Sequence, residues 1–422
     1  MELKQKIYEF LRWSEKYTGT DMVYFAKGSF WWILGRSILL LLSLAVMMAF
    51  ARWLPKETFG AYQYILSMVA ILAIFALPGI DTALVRTVAK GSTKAFWFCA
   101  KTKFRWALIS AAGCLVIAGW YLAHQNFVLG VSFLIAGIFF PFVNVFNLFA
   151  SFWHGKKRFD VLAKYQILLK ILSVLILLPV IFFFDNLVLI ILAFSVSSAI
   201  FGAIFFTLTL KKITAQDSIN ESQEDEKQEK ETISFGKRLT LMSSIGHFSA
   251  HLDKVIIWQM LGPMAVAIYA FAQLPLQKIN EIIPIAPLAF PKLSDQNVKE
   301  IKKEVFKKFL KLFLFSIPLT VLIIFLAPYF YKLLFPLYLE SIPYFQVLAL
   351  SLIFIPFSLL GISLLTEMKK RALYIISFTA PLLQIVLFLI LIPFYGIWGI
   401  IFAILIAQFS GSLLVLYFFK KI

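Results

Sequence analysis

The stretch LMSSIGHFSAHLDKVIIWQMLGPMAVAIY, residues 241–269, decides the fold because it reads as a membrane-spanning helix and yet contains charged and imidazole side chains. These are His247, His251, Asp253 and Lys254, near the middle of the predicted helix. At 3.6 residues per turn, the two histidines and Lys254 share one stripe with Ser244, and Asp253 lies about 100° from it. A charge in mid-bilayer costs roughly 2.5–3.5 kcal/mol, so the stripe predicts a water-filled path between helices.

Composition assigns the chain to the membrane proteins. Of 422 residues, 61% are hydrophobic and 15% are charged, against about 45–50% and about 25% in soluble domains. Apolar runs of roughly 20 residues, enough to cross a bilayer, recur along the chain. We predict an all-α integral membrane protein with about twelve transmembrane helices, near residues 30–53, 61–79, 104–123, 127–150, 162–184, 187–210, 238–261, 264–289, 309–331, 344–366, 371–393 and 397–419.

The basic residues indicate the orientation in the membrane. If the N-terminus is cytosolic, 32 of the 40 lysines and arginines fall in segments on the cytosolic side, and only Arg52, Lys56 and Lys332 fall in outside segments. The bias alternates from loop to loop, as the positive-inside rule requires. It predicts that both termini are cytosolic. It also explains most of the formal charge of +18 without a nucleic-acid partner.

One strongly polar segment, residues 213–233, divides six predicted spans from six. Its seven acidic residues and two lysines predict a disordered cytosolic linker. The predicted organisation is a cytosolic amphipathic N-terminal segment (1–28), an N-terminal six-helix bundle (29–210), an acidic cytosolic linker (211–236) and a C-terminal six-helix bundle (237–422). The similar turns LPKETFGAY (54–62) and LGPMAVAIY (261–269) favour two matched, parallel halves.

Most of the charged residues left inside or at the edges of the spans are basic. A cationic lumen suits an anionic cargo such as a phosphate or pyrophosphate group, through charge-assisted hydrogen bonds. Two alternatives stay open, because Lys278 and Glu281 can neutralise each other at a spacing of three, and residues near helix ends can snorkel. The candidate lumen residues are Arg36, Arg86, Lys170, His247, His251, Asp253, Lys254, Lys278 and Glu281.

Among the candidate residues, His247 and His251 are the pair whose spacing of four residues suits a metal site. The motif HFSAH lacks the glutamate of a zinc protease and shows no third ligand, so polar lining is favoured and neither a metal nor a cofactor is predicted. A proton-sensing role stays open because histidine titrates near neutral pH. Separately, Pro78 and Gly79 predict a break after the second span.

Two modules resemble a known family. Residues 27–90 contain KGSFWWILGRSI, ARWLPKETFGAYQYI and LPGIDTALVRTVAK, which resemble the opening module of the bacterial polysaccharide-exporter, or Wzx-like oligosaccharide flippase, family. The stretch HLDKVIIWQMLGPMAVAIYAFAQ resembles the matching module of the second half. The first turn departs from the family's Leu-Gly-Pro pattern and reads Leu54-Pro55-Lys56, whereas Leu261-Gly262-Pro263 fits it.

This resemblance implies the MOP exporter superfamily fold, in which two MATE-like six-helix bundles enclose a central cavity. It implies a cargo of oligosaccharide linked to a polyprenyl pyrophosphate of the undecaprenyl type. The cargo would move to the outer leaflet of the bacterial inner membrane for cell-surface polysaccharide such as O-antigen of lipopolysaccharide. Membrane lipids and the glycan polymerase machinery are the further partners implied. The residues that match charged positions of the family pattern are Arg36, Arg86, Asp253 and Lys254.

Two other functions remain as alternatives. A cation-coupled multidrug exporter of the same superfamily is expected to line its lumen mainly with acidic residues, whereas the excess here is basic. A membrane glycan polymerase or glycosyltransferase typically needs a long external loop with acidic residues. The longest one predicted here, around residues 329–343, offers only Glu340. The sequence therefore favours a transporter over an enzyme.

Overall fold

The first half of the chain is helical throughout its described part. The computed structural model describes residues 22–214, 223–282, 298–367 and 370–421, and no β-strand occurs in those ranges. The helices of the first half are α1 (Met22–Trp53), α2 (Lys56–Leu72), α3 (Gly79–Ala89), α4 (Ala95–Ala123), α5 (Phe127–Phe146), α6 (Leu148–Gly155), α7 (Phe159–Phe183) and α8 (Leu187–Thr214).

The second half follows the same plan. Its helices are α9 (Gln223–Leu261), α10 (Pro263–Ile282), α11 (Val298–Leu334), α12 (Ser341–Leu348), α13 (Phe357–Thr366), α14 (Lys370–Tyr395) and α15 (Ile397–Lys420). Short 3-10 turns precede and follow α12, at Pro336–Tyr338 and Ala349–Phe354. We call the surface between the two halves the seam.

Nine helices in the described ranges are long and apolar enough to cross a bilayer, or ten if the bent pair Ser341–Phe354 and Phe357–Leu365 is one span. The predicted spans near 238–261 and 264–289 correspond to α9 and α10. Neither of these two helices is among the nine. The mean hydropathy of α9 is low because its first part is charged and its second part carries the predicted polar stripe. The nine are Gly35–Trp53, Lys56–Ala76, Ala95–Ala123, Phe127–Gly155, Phe159–Phe183, Leu187–Ile213, Lys302–Leu334, Arg371–Tyr395 and Ile397–Lys420.

The predicted break after the second span is confirmed. Beyond α2, a 3-10 turn at Ala73–Ala76 leads to Leu77, whose φ of 55° is in the left-handed region. The left-handed conformation is unfavourable for a residue with a bulky side chain such as leucine, so the helix does not continue through Leu77. The adjacent Pro78 has no backbone N–H to donate to a helix hydrogen bond. Gly79 then begins α3, a short helix that the sequence did not predict and that packs against α9.

The prediction of a disordered linker is wrong for residues 223–233, which form the first turns of α9. Gln, Glu and Lys have high helix propensity, and Glu226 and Lys230 are four residues apart in the favourable order. Acidic residues in the first turns also complement the helix dipole. Residues 215–222 lie outside the described part. At the other boundary, residues 22–28 already belong to α1, and the rest of the predicted amphipathic segment lies outside the described part.

The two halves share one buried apolar cluster at the end of the molecule where the short connections meet. We call this the short-loop end and define it by the connections 54–55, 184–186, 262 and 335–340. The shared cluster includes Phe59 and Tyr64 of α2, Ile257 of α9 and Phe271 of α10. Burial of these side chains therefore holds the halves together at this end.

At the opposite end each half has a separate buried cluster. We call it the basic end, because the connections 90–94 and 156–158 carry lysine and arginine. Phe96 and Phe152 belong to the cluster of the first half, and Val305 and Phe309 to that of the second. Within the described residues, α9 crosses the seam here. A Cβ atom on Gly79 of α3 would lie 2.3 Å from the Gly236 carbonyl oxygen of α9.

Candidate functional site

Two contacts show which face of α9 turns toward the first half. Near the basic end, the Gly79 backbone N–H donates to Thr240 Oγ1 at 2.9 Å. Nearer the short-loop end, the Trp258 ring stacks on Tyr64 of α2 at a centroid distance of 4.5 Å. Thr240 and Trp258 lie at helical spacing from the predicted stripe and therefore share its face. The stripe itself faces the seam between the halves.

Exposure changes along this stripe. His247 is exposed, His251 is half-buried, and Lys254 is buried with 7% of its surface exposed. The stripe contacts the first half at both ends, and His247 is exposed between these contacts. Exposure thus falls along the stripe from His247 to Lys254.

Lys254 has no partner for its ammonium group among the described residues. No ion pair or side-chain hydrogen bond involves it there, and the polar contact that it makes outside the helix ladder is the one from its backbone N–H to Asp253 Oδ1 at 2.7 Å. A second buried lysine, Lys103 of α4, differs sharply, because its Nζ holds both Asp81 carboxylate oxygens at 2.7 and 2.8 Å. Lys254 therefore differs from Lys103 in having no carboxylate at ion-pair distance among the described residues.

A hydroxyl group on the facing helix is also unpartnered. Ser67 of α2 is buried, and its Oγ has no hydrogen-bond partner in the described structure. The helices α2 and α9 run antiparallel, with Ser67 one turn from Tyr64 and Lys254 one turn from Trp258. Because Tyr64 and Trp258 stack on each other, Ser67 and Lys254 lie at a similar level of the seam. Both side chains can donate hydrogen bonds.

Asp253 is fixed by α10 rather than by the lysine side chain. Its carboxylate, only 1% exposed, accepts hydrogen bonds from Tyr269 Oη at 2.6 Å, from Gln273 Nε2 at 3.3 Å and from the Lys254 backbone N–H at 2.7 Å. Gln277 Nε2 continues the chain by donating to Gln273 Oε1 at 3.0 Å. This network ties α9 to α10 beside the stripe.

We expect Tyr269→Phe to lower the melting temperature of the purified protein, because buried Asp253 would lose its shortest hydrogen bond. A hydrogen bond to a charged group contributes about 1.5–3 kcal/mol to the free energy of unfolding. Tyr338→Phe is the matched control, because the Tyr338 hydroxyl is buried without a partner in the described structure. Burial and, secondarily, the Glu57 carboxylate raise the pKa of Tyr338, so the hydroxyl stays neutral. An equal change in both variants would contradict this role for Tyr269.

The other predicted site residues lie on different helices. Arg86 is exposed on α3, at another point of the seam, with its guanidinium 4.7 Å from the Phe235 ring of α9. Arg36 of α1 is exposed, while Lys170 of α7 and Lys278 of α10 are half-buried. The side chain of Glu281 lies outside the described part. The four predicted residues of α9 lie within three helical turns of one another, and the other predicted residues lie on α1, α3, α7 and α10.

Sequence reasoning missed the partners of this group. Tyr269, Gln273 and Gln277 recur every four residues on the otherwise apolar helix α10, and this spacing is a signal that could have been used. Ser67 gave no such signal, because single serines are common in membrane helices and its position depends on how the halves meet.

The fold resembles that of solved membrane transporters. A multidrug resistance MATE family transporter of the MOP superfamily in its inward-facing conformation aligns with a TM-score of 0.68 and 15% identity, covering 92% of this chain and 97% of the other. Lipid II flippase MurJ in its inward closed conformation aligns with a TM-score of 0.71 and 14% identity, covering 94% and 87%. At these identities the likeness concerns the fold. The molecule is a multi-pass membrane protein with the architecture of this transporter class.

Sequence comparisons then identify the family. The family described as "Polysaccharide biosynthesis protein" matches residues 25–296, so the chain belongs to that family. A putative O-antigen transporter of Shigella flexneri is 24% identical over 401 residues, covering 88% of this chain and 92% of that protein. An uncharacterized membrane protein of Methanocaldococcus jannaschii is 22% identical over 430 residues, covering 94% and 84%. The family resemblance predicted from the motifs is confirmed.

Proposed function

We propose that this protein is a flippase that moves a polyprenyl-pyrophosphate-linked oligosaccharide across the bacterial inner membrane for cell-surface polysaccharide biosynthesis. Family membership supports a role in that biosynthesis. The relative named as a putative O-antigen transporter and the fold shared with a lipid II flippase support transport of a lipid-linked glycan.

The observation that carries the proposal is Lys254, a side chain only 7% exposed whose ammonium has no partner among the described residues, on the face of α9 that lines the seam. A pyrophosphate group supplies several anionic oxygens that accept charge-assisted hydrogen bonds from an ammonium. Ser67 would add a neutral donor from α2. Binding the cargo would therefore give hydrogen-bond partners to the Lys254 ammonium and to the Ser67 hydroxyl.

The arrangement of the halves suggests how the head group and the lipid tail are separated. The glycan and pyrophosphate would pass along the seam, while the polyprenyl tail stays in the bilayer, because moving a charged head through hydrocarbon is very costly. The Asp253 network would hold α9 and α10 as one unit during the movement. Alternating exposure of a fixed site by rocking of two repeats is the motion that this architecture favours.

We propose twelve spans, which are the nine apolar helices, the bent pair counted as one span, and α9 and α10, with both termini and the basic end in the cytosol. The loop-by-loop charge bias supports this orientation. Arg86, at the same seam, would attract the pyrophosphate on the cytosolic side. We assign Arg36, Lys170, Lys278 and Glu281 to secondary positions along the path.

Export of cationic drugs is the second candidate, supported by the MATE fold and by the buried carboxylate of Asp253. An enzymatic role is less well supported, because Glu340 of the longest short-loop connection is engaged in an ion pair with Lys56 at 3.1 Å. We therefore propose transport without catalysis, with the glycan polymerase as a downstream partner.

Deletion of the gene in the native host tests the function. We expect lipid-linked oligosaccharide to accumulate on the cytosolic leaflet and surface glycan to be lost, with recovery when the gene is restored. Unchanged surface glycan together with increased drug sensitivity would favour the multidrug exporter instead.

A further inference from the structure

The beginning of α11 is strongly basic. Residues 302–311, KKEVFKKFLK, contain five lysines and one glutamate. The apolar span to which they belong, Lys302–Leu334, has 33 residues, whereas roughly 20 are enough to cross the hydrocarbon core of a bilayer. Residues 312–334 therefore suffice for the crossing, and residues 302–311 extend to the membrane surface at the basic end.

Three of these lysines lie on the outward face of α11. Val305 and Phe309 are buried in the apolar cluster of the second half, so this side of the helix packs inward. Lys303, Lys307 and Lys311 recur every four residues on the opposite side, and all three are exposed. At a rise of 1.5 Å per residue they line about 12 Å of the helix surface. We call these three residues the lysine row.

The charge of the lysine row is not neutralised by the described part of the chain. No carboxylate there lies within ion-pair distance of the row, and the neighbouring Glu304 is exposed and forms no ion pair. Lys103 of α4 shows the contrasting arrangement, since it is buried and paired with Asp81. The row can therefore take an anion from outside the chain.

The end of α15 adds positive charge beside the row. Lys302 Nζ donates to the Lys420 carbonyl oxygen at 2.9 Å, so this lysine caps the C-terminus of α15 and joins the two helices. Lys420 is itself exposed, and Lys421 Nζ lies 4.3 Å from the centre of the exposed Tyr417 ring. Tyrosine is enriched at the membrane–water interface, which is the level that these lysines occupy.

The outward face of α11 becomes apolar directly beyond the row. Leu314, Val321 and Phe325 continue the same side of the helix and are 57%, 61% and 66% exposed. A phospholipid has the same order along its length, with a phosphate group first and hydrocarbon after it. The face thus matches a lipid better than it matches a free anion.

We propose that the lysine row, together with Lys420, binds the phosphodiester head groups of anionic phospholipids in the leaflet at the basic end. The ammonium groups would donate charge-assisted hydrogen bonds to phosphate oxygens, and the acyl chains would lie along Leu314, Val321 and Phe325. Clusters of about four to eight basic residues at the end of a membrane helix are typical of such recognition. The proposal goes beyond the proposed function, because it concerns the bilayer and holds whatever the cargo is.

The test measures binding of phosphatidylglycerol to the purified full-length protein in a neutral detergent. We expect phosphatidylglycerol to raise the melting temperature and phosphatidylcholine to leave it unchanged, because a ligand that binds the folded state stabilises it. Each basic residue near an anionic surface strengthens binding about fivefold. The combined change Lys303→Gln, Lys307→Gln and Lys311→Gln should therefore raise the phosphatidylglycerol concentration needed for half the effect at least about tenfold.

A matched variant removes the same charge elsewhere. Lys90→Gln, Lys101→Gln and Lys211→Gln change exposed lysines at the basic end of the first half and should shift that concentration by no more than about twofold. Changing the row to three arginines should preserve binding, because a guanidinium also binds phosphate oxygens. Melting temperatures without lipid show whether each variant is folded.

Three results would overturn the proposal. The first is equal binding of phosphatidylglycerol by the parent and the folded glutamine variant of the row, or equal losses in the two triple variants. The second is binding of glycerol phosphate, which lacks acyl chains, as tightly as phosphatidylglycerol. The third is measured on the parent alone and needs no variant to fold. Added salt should weaken phosphatidylglycerol binding to exposed lysines, so absent or salt-independent binding contradicts the site.

Discussion

Replacing Lys254 with methionine should lower glycan export about ten- to hundredfold while leaving the protein at least as stable as the parent. Methionine has a similar length and no charge, so the variant removes the charge of a mostly buried side chain without opening a large cavity. Hydrogen bonds to a charged group contribute about 1.5–3 kcal/mol to binding. Their loss corresponds to a fall of about ten- to hundredfold in the transport rate when the cargo concentration is limiting. Surface glycan, lipid-linked precursor and melting temperature are measured together.

Two variants are controls for this prediction. Lys254→Arg keeps the positive charge and should keep part of the export, because a guanidinium also binds phosphate oxygens. Lys101→Met removes a lysine that is exposed near the basic end of α4 and should leave export unchanged. If Lys254→Met unfolds the protein, or exports glycan normally, Lys254 is not the anion site.

Gly60→Ala should destabilise the folded protein, because the added methyl group would meet a closer contact than at any other described helical glycine of the first half. A Cβ atom there would lie 1.9 Å from a backbone oxygen of Pro263, so α2 and α10 must move apart. Overpacking of this kind typically costs about 1–3 kcal/mol and sometimes more. The melting temperature of the purified protein shows the loss.

Gly119→Ala is the matched control for Gly60→Ala. Gly119 also lies inside a helix, α4, but a Cβ atom there would meet nothing within 4 Å. Because alanine is a better helix former than glycine, Gly119→Ala should stabilise the protein by up to about 1 kcal/mol. Equal melting temperatures for the two variants would show that the halves do not pack closely at Gly60.

The sequence was sufficient for the features that depend on local pattern. Hydropathy runs predicted the membrane class and most of the spans, and the 3.6-residue period placed His247, His251 and Lys254 on one face of α9. Pro78 and Gly79 predicted the break that leads to α3, because both residues interrupt helices through their own backbone chemistry. Motif similarity predicted the family.

Features that depend on distant contacts were not predictable. The pair Lys56 and Glu340 is separated by 284 positions, and Asp253 meets Gln273 only because α9 and α10 pack side by side. The acidic segment was predicted as disordered from its charge, but its glutamate, glutamine and lysine residues also favour a helix. Packing of α9 against α3, through Thr232 and Thr87, contributes to the helical outcome.

The central claim is that an anionic, lipid-linked head group crosses the membrane past Lys254. The most direct measurement follows a fluorescent polyprenyl-pyrophosphate oligosaccharide between the leaflets of liposomes that contain the purified protein. The account predicts transfer by the parent well above protein-free liposomes, and loss of that transfer in folded Lys254→Met protein. Equal transfer by the parent and Lys254→Met, or none by the folded parent, would contradict it.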